Sequence, residues 1–294
     1  MTARLAWALG TLGAILLVAA ALAIFLGSAR LAPLTVLRVL GGRAGPDASE
    51  HVVILGLRLP RIAAAVLAGG ALAVAGVGFQ ALTRNPLAEP SVLGVSAGAS
   101  FGVVVGQLLG GSGAFFDALR VTAFGFAGAL VAGVAVYLIA SVQGGFPIQT
   151  LLLAGVIVGI FFSAAVTVLI SLVDIDRLGG VVHWLLGNVA PLPARSLLLF
   201  AGLAAALLTS TVVAFAGPIG FVGLVVPHML RLSLGPDNRL LVPAALVGGG
   251  AFLLVADTIA RNAVAPAELS VGIITSLFGA PFFVYLLRTR RGVL

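Results

Sequence analysis

The residues that could do chemistry are few, because only 9% of the chain is charged and it contains no cysteine. Among them, Arg58 and Arg61 flank Pro60, a residue that favours the start of a helix. Arg261 follows Asp257 by four residues, a spacing that places two side chains on one helical face. Arginine makes strong charge-assisted hydrogen bonds with carboxylates. The pattern therefore indicates either hydrated anchors at a membrane surface or the binding of an acidic partner.

Signals for catalysis and for metal binding are weak. His228 follows Pro227 without a second histidine, a cysteine or a carboxylate close to it in the sequence. We therefore expect His228 to make a buried structural hydrogen bond, since a metal site needs several ligands. The chain has no Gly-x-x-x-x-Gly-Lys phosphate loop, so we do not expect it to hydrolyse ATP itself. The sequence predicts no catalytic residue, no metal site and no cofactor.

A short polar segment, Thr83–Pro90, separates two apolar stretches. Two prolines, Pro86 and Pro90, and the turn-forming Asn85 prevent a continuous helix here. We expect this segment to form a compact turn at one face of a membrane.

The elements that must position these residues are membrane helices. The chain is 61% hydrophobic, whereas a soluble domain carries about 25% charged residues, so a soluble fold and a disordered chain are both excluded. Its sixteen arginines are scattered among apolar runs and form no stripe, which does not favour a nucleic-acid partner. We expect membrane lipid to surround a single transmembrane domain that extends over residues 1–294.

A spanning helix needs about 20 apolar residues. Nine apolar runs meet or approach that length, and the ninth, which contains Pro227, is short. An amphipathic stretch, Arg177–Asn188, predicts a short interfacial helix anchored by Trp184. The runs are Leu5–Gly27, Ile62–Leu82, Val92–Leu109, Val121–Val142, Leu151–Val173, Ser196–Ala216, Leu240–Ala260, Ser270–Leu287 and Phe221–Leu234.

Small residues and terminal charges add two expectations. Glycines recur every fourth residue from Gly98 to Gly110, and such a face lets helix backbones approach closely in lipid. Arg4 precedes the first run and Arg288 follows the last, which places both termini in the cytoplasm. Two cytoplasmic termini require an even number of crossings, so a count of nine runs is inconsistent with this topology.

Several long motifs in order resemble the membrane permeases of bacterial ABC importers for iron-siderophores, haem and vitamin B12. The resemblance covers the chain from about Leu55 to Leu287 and is strongest in the Gly217–His228 motif. The matching segments are Leu57–Arg61, Gly78–Leu82, Asn85–Pro90, Leu93–Ala99, Leu151–Gly155, Gly217–His228, Ala256–Arg261, Glu268–Leu269 and Leu277–Phe283.

The resemblance implies an all-α, polytopic helix bundle of the B12/siderophore importer type, with ten helices in the family. It implies a second permease copy as partner, either identical or paralogous, with the translocation path between the two. It also implies two ATPase subunits and a periplasmic or lipoprotein substrate-binding protein. An iron-siderophore is the expected ligand because it is the most common in the family, with haem and corrinoid as alternatives. The expected location is the bacterial cytoplasmic membrane.

The resemblance also implies roles for particular residues. Arg58, Arg61 and Arg261 match arginines that dock acidic residues of the binding protein. Asn85 and Leu87 match positions of a cytoplasmic gate, where a narrow apolar ring can close a pore. The remaining matched positions belong to structural motifs: Pro86, Pro90, Gly98, Gly217, Pro227 and His228.

The family pattern fails between Leu186 and Gly217, where the family has a helix, a cytoplasmic loop and another helix. Roughly 35 residues are missing there, enough for a loop and much of a second membrane helix. We therefore expect an internal deletion near 195–214, eight or nine helices in place of ten, and loss of the loop that contacts the ATPase. Alternatives to a working importer are an ion-coupled secondary transporter, a shortened copy that no longer couples to an ATPase, and a non-transporting scaffold.

Overall fold

The computed structural model describes residues 2–43, 49–109, 114–141, 147–173, 175–189, 212–213, 216–265 and 267–289. The regular structure within these ranges is helical, as predicted. We number its helices α1 to α10 along the chain. They are α1 Thr2–Phe25, α2 Pro33–Leu40, α3 Ser49–Thr83, α4 Val95–Leu108, α5 Ala114–Ser141, α6 Ile148–Ser171, α7 Ile175–Leu185, α8 Val222–Leu234, α9 Asn238–Asn262 and α10 Val271–Thr289.

Eight of the nine predicted apolar runs are helices within the described residues. Five of them, α1, α3, α5, α6 and α9, are long and apolar enough to cross a membrane, and α4, α8 and α10 are shorter apolar helices. The remaining run, Ser196–Ala216, lies almost entirely outside the described residues, as does the predicted deletion. The two remaining helices are α7, which was predicted, and α2, which was not.

Helix α3 corrects the predicted position of the first two arginines. The helix begins at Ser49, far ahead of the predicted Ile62, and it passes through a π-helical segment at Val52–Arg58. Pro60 lacks an N–H and its ring crowds the preceding turn, which the wider π-helical turn relieves. Arg58 and Arg61 therefore lie inside a continuous helix, and the prediction that they stand hydrated at its mouth is wrong.

The centre of the bundle is the contact between α3 and α9. A Cβ atom on Gly69 would come within 2.2 Å of the Gly249 carbonyl oxygen, and one on Gly249 within 2.3 Å of the Gly69 oxygen. The two backbones are therefore in direct contact at this point. Buried alanines and leucines of both helices, such as Ala68 and Leu253, complete the core around it.

Helices α4 and α5 pack through the predicted small-residue face. A Cβ atom on Gly98 would come within 2.5 Å of the Gly128 carbonyl oxygen, and one on Gly102 within 1.9 Å of the Phe124 oxygen. The close approach predicted from the glycine spacing is thus confirmed for this part of the face. Gly110, at the end of the repeat, lies outside the described residues.

The amphipathic helix α7, predicted as an interfacial element, packs one face against the bundle. Val181 packs against Val104 and Val166, and Trp184 packs onto a cluster that includes Ala99 and Ala129. The apolar face of α7 is therefore occupied by α4, α5 and α6, so Trp184 anchors the helix to the bundle.

Candidate functional site

The three arginines predicted to act together, Arg58, Arg61 and Arg261, are called the arginine cluster here, and the α3–α9 contact joins two of them, Arg61 and Arg261, through Asp257. Arg61 lies eight residues before Gly69, and Asp257 lies eight residues after Gly249. Because the helices run antiparallel through the two glycines, these side chains reach the same level, about 12 Å along the axis at 1.5 Å per residue. The Arg61 Nε and Nη2 atoms donate to one oxygen of Asp257 at 3.1 and 3.0 Å.

Asp257 also holds Arg261, as the spacing of four residues predicted. The Arg261 Nε donates to the second Asp257 oxygen at 3.1 Å, so this carboxylate bridges two guanidinium groups. Asp257 is fully buried, and Arg61 and Arg261 are only 8% and 3% exposed. A buried carboxylate between two buried cations is far less costly than any of the three alone.

Arg58 binds a different part of the molecule. Its guanidinium donates to the backbone carbonyls of Ile24 and Ala29, and to that of Phe25 at 3.3 Å. The Ile24 and Phe25 oxygens lie at the C-terminal end of α1, where helical carbonyls lack partners and the helix dipole favours a cation, and Ala29 lies in the segment that follows. Arg58 is 4% exposed and fixes the end of α1 against α3.

Glu268, in the connection between α9 and α10, completes the cluster. One carboxylate oxygen accepts from Arg61 Nη1 at 2.7 Å, and the other accepts from the Ser28 hydroxyl at 3.0 Å. Partial burial raises the pKa of Glu268, but the hydrogen bonds and charge of Arg61 outweigh this and hold the pKa below its ordinary value. In the sequence, Glu268 belongs to one of the matching motifs, but nothing in its sequence neighbourhood marks it as a partner of Arg61.

The predicted gate residues lie at the other end of α3. Arg84 ends the helix in the left-handed conformation, with φ of 50°, and the Asn85 side chain accepts the Leu87 N–H at 2.9 Å. Leu87 is half-buried, and Pro90 begins a single 3-10 turn, Pro90–Leu93, that leads into α4. The compact turn is confirmed, and it follows the end of α3 at Thr83, about 33 Å along the helix from Arg61 at 1.5 Å per residue.

Glu89, which the sequence reasoning did not single out, ties this turn to α8. Its carboxylate accepts the backbone N–H of Phe221 at 2.7 Å. Phe221 is the residue before α8 and has φ of +68°, a left-handed conformation that is strained for a bulky side chain. Burial raises the pKa of Glu89, although its hydrogen bonds with Phe221 and Ser91 oppose the rise.

The predicted motif residues Gly217, Pro227 and His228 shape the entry to α8 and its packing. Gly217 has φ of +75°, and a Cβ there would come within 2.3 Å of the Trp184 carbonyl oxygen. Pro227 and His228 are buried inside α8, and the His228 ring meets Phe282 of α10 edge-on with centroids 6.3 Å apart. Gly217 thus contacts α7 and His228 contacts α10, while α8 as a whole also packs into the core formed by α3 and α9.

An open groove of about 750 Å³ runs along α6. Its walls are α4, α6 and the turn before α4, and the ends of α7 and of the Gly217–Gly220 segment close one side. The lining is mainly apolar with a set of hydroxyl groups, namely Ser91, Ser96, Ser100, Ser163 and Thr167. Such a groove can admit a solute with polar groups or a second protein surface.

These features define a many-helix membrane permease with a charged cluster at one end and an open groove along one face. The FecCD transport family matches residues 15–204 and 192–289, and the chain belongs to that family. It is therefore a multi-pass protein of the cytoplasmic membrane and a transporter subunit, separate from the ATPase.

Known proteins similar to the chain agree with this. The cobalamin import permease BtuC of Halobacterium salinarum is 38% identical, over 84% of this chain and 76% of the relative. The ferric enterobactin permease FepD of Escherichia coli is 34% identical, over 94% of this chain and 93% of the relative. A solved structure described as an inward-facing metal-chelate type ABC transporter matches with a TM-score of 0.78 and 27% identity, over 97% of this chain and 99% of the other.

The lengths of these alignments bear on the predicted deletion. The alignment with FepD has 319 positions, whereas 94% of the 294 residues here is about 276, so about 43 positions lack a counterpart in this chain. The family match is also split into two parts, which overlap at residues 192–204. The alignment length agrees with the expected size of the deletion, and the overlap of the two family matches agrees with its expected place.

Proposed function

We propose that this chain is one half of the membrane pore of an ABC importer that moves an iron-siderophore delivered by a binding protein. A second copy of the chain, or a paralogous permease, supplies the other half, and two ATPase subunits act from the cytoplasm. Family membership supports the importer class, and the FepD likeness supports the siderophore, while the BtuC likeness keeps corrinoid as the competing ligand.

The observation that carries the proposal is the groove along α6. Helix α6 has only 28% of its apolar window buried, compared with 67% for α3 and for α9. Helix α1 is buried even less, at 17%, but it does not line the groove, so the hydroxyl-lined groove rather than exposure alone supports a partner on the α6 side. A second copy placed against α6 turns the open groove into a closed path.

The two ends of this path carry the proposed partner contacts. The arginine cluster of Arg58, Arg61 and Arg261 lies at the outer end and receives carboxylates of the binding protein. Asn85 and Leu87 lie at the cytoplasmic end, where half-buried Leu87 forms part of the apolar gate. This orientation places both termini in the cytoplasm, in agreement with Arg4 and Arg288.

A second candidate follows from the deletion. The missing positions fall where the family loop contacts the ATPase, so the chain is alternatively a shortened copy that folds and docks its binding protein but does not couple to ATP hydrolysis. Ion-coupled transport is less well supported, because the long described helices carry their buried charges in one paired cluster at the outer end.

Reconstitution distinguishes these candidates. The chain is incorporated into liposomes together with its ATPase, and the binding protein is added loaded with ferric siderophore, haem or cobalamin. The importer proposal predicts uptake that needs ATP inside the liposome, with ferric siderophore as the best ligand. Docking without ATP-dependent uptake supports the shortened copy. Uptake driven by an ion gradient without ATP overturns both.

A further inference from the structure

The three arginines proposed to receive the binding protein are covered by the chain itself. The guanidinium group of Arg58 already donates hydrogen bonds to the carbonyl oxygens of Ile24 and Ala29. In the segment that follows α1, the Ser28 hydroxyl donates a hydrogen bond to Glu268. Glu268 in turn occupies the Nη1 atom of Arg61 at 2.7 Å. A carboxylate arriving from outside therefore meets an existing carboxylate at Arg61.

The two carboxylates of the cluster differ in how they are held. The Asp257 side chain is fully buried, and it binds two arginines from within a helix that forms the core. The Glu268 side chain is 33% exposed, lies in a connection between helices, and has only Ser28 and Arg61 as hydrogen-bond partners among the described residues. Asp257 is a fixed part of the structure, whereas Glu268 can leave toward water without exposing a buried charge of its own.

The cluster can also bind a further anion, because it has an excess positive charge and a donor without an acceptor among the described residues. In the described part of the chain, three guanidinium groups face two carboxylates, which leaves one positive charge uncompensated. The Arg261 Nη2 atom is buried and has no hydrogen-bond partner there. A buried donor without an acceptor is costly, so an added carboxylate that reaches it gains more than a surface ion pair does.

We propose that Glu268 is a displaceable internal carboxylate, which occupies Arg61 while the permease is undocked and gives way to a carboxylate of an acidic partner segment. The exchange replaces one carboxylate on Arg61 by another of the same chemistry, so little is lost at that atom. Release of Glu268 also frees the Ser28 hydroxyl, which removes one of the contacts that hold the segment after α1 over the cluster. This inference rests on the proposed docking role of the cluster and adds to it the residue that competes for the surface.

Poly-L-glutamate serves as a probe, because it presents closely spaced carboxylates and needs no knowledge of the natural partner. Its binding is measured to the purified full-length chain in lipid nanodiscs. Glu268→Gln removes the competing charge, while Glu50→Gln removes one charge from the exposed start of α3 and makes no contact with the cluster. We expect Glu268→Gln to bind the probe on the order of 3- to 10-fold more tightly than Glu50→Gln.

Two further variants keep the result interpretable. Ser28→Ala leaves the Glu268 charge in place but removes its second hydrogen bond, and it is expected to raise probe affinity less than Glu268→Gln. Glu268→Asp restores the charge and is expected to return affinity toward that of the unaltered chain. If Glu268→Gln fails to fold, as judged by thermal unfolding, the Ser28→Ala result decides in its place.

The inference is overturned if Glu268→Gln, or Ser28→Ala in its stead, binds the probe no more tightly than Glu50→Gln. That failure is distinct from failure of the proposed function, which is judged by ATP-dependent uptake. If Glu268→Gln binds the probe more tightly but the chain shows no ATP-dependent uptake, the carboxylate exchange is supported and the importer function is rejected. If uptake occurs but Glu268→Gln shows no gain in probe binding, the importer function is supported and the carboxylate exchange is rejected.

Discussion

At the scale of single residues, Asp257 decides whether the arginine cluster exists. The sequence identified its pairing with Arg261 from a spacing of four, and that pairing is confirmed at 3.1 Å. The second pairing, with Arg61, joins positions 196 residues apart. It depends on where α3 and α9 cross, which local spacing does not encode.

Replacing Asp257 by Asn should therefore destabilise the fold strongly. The change leaves two buried guanidinium groups without their shared counter-charge, which in buried pairs costs about 3–5 kcal/mol. Thermal unfolding of the detergent-solubilised chain measures the effect. Asp237→Asn is the matched control, since the Asp237 side chain caps α9 by accepting the Arg239 N–H and asparagine caps as well, so a change within about 0.5 kcal/mol is expected. Equal losses in both variants would contradict this account of Asp257.

The environment of Glu89 predicts that the stability of the fold depends on pH. Burial raises its pKa in the folded state above the ordinary value of 4.5, so the folded protein holds this proton more tightly than the unfolded chain does. Protonation of Glu89 therefore contributes to the stability of the fold, and this contribution is fully present below pH 4.5 and is lost as pH rises through the raised pKa. Glu89→Gln keeps an oxygen that accepts the Phe221 N–H and carries no charge.

We therefore expect Glu89→Gln to be more stable than the unaltered chain at pH 8 and to lose most of that advantage near pH 5. Melting temperatures at the two values test this. Glu89→Ala, which removes the acceptor of the Phe221 N–H, should be less stable than Glu89→Gln at both values. A Glu89→Gln variant that is less stable at pH 8 than the unaltered chain would show that the carboxylate charge itself supports Phe221.

At the scale of elements, periodic residue patterns predict helix contacts correctly, whereas helix boundaries that depend on a local irregularity are not predictable from pattern alone. The glycine spacing in α4 predicted a close helix contact, because small residues at every fourth position act locally on one face. The start of α3 was placed too late, because Pro60 ordinarily marks a helix start and only the π-helical segment before it allows the helix to continue. Helix α2 was missed because eight residues are too few to give a clear period.

The α4–α5 contact gives the prediction at this scale. Gly102→Ala places a Cβ within 1.9 Å of the Phe124 carbonyl oxygen, which forces the helices apart and should cost about 1–3 kcal/mol. Gly133→Ala is the control, because no atom lies within 4 Å of its added Cβ and alanine favours the helix by up to about 1 kcal/mol. Unfolding in mixed detergent should therefore separate the two variants in opposite directions. Loss of stability at Gly133 comparable to that at Gly102 would contradict the assigned interface.

At the scale of the whole molecule, burial divides the helices into a centre and a periphery. Helices α3 and α9 are mostly buried, while α1 and α6 have only 17% and 28% of their apolar windows buried. Composition alone predicted apolar helices, but it gives no information on which faces meet lipid and which meet protein. The groove beside α6 supplies that distinction, since lipid tails fill a smooth apolar face whereas a groove lined by hydroxyls suits a protein-enclosed path.

A second copy against α6 should be detectable by cross-linking. Because the sequence contains no native cysteine, an introduced cysteine is the only thiol that can react. Ile160 on α6 and Leu17 on α1 are similarly exposed, at 65% and 72%, and each is replaced by cysteine in turn. In membranes, a short bis-maleimide should yield a covalent dimer with Ile160→Cys, because a two-fold axis beside α6 brings its two copies together. The Leu17→Cys variant should remain monomeric, since α1 then faces lipid. A dimer formed through Leu17→Cys would place the partner, and with it the proposed path, beside α1 instead of α6.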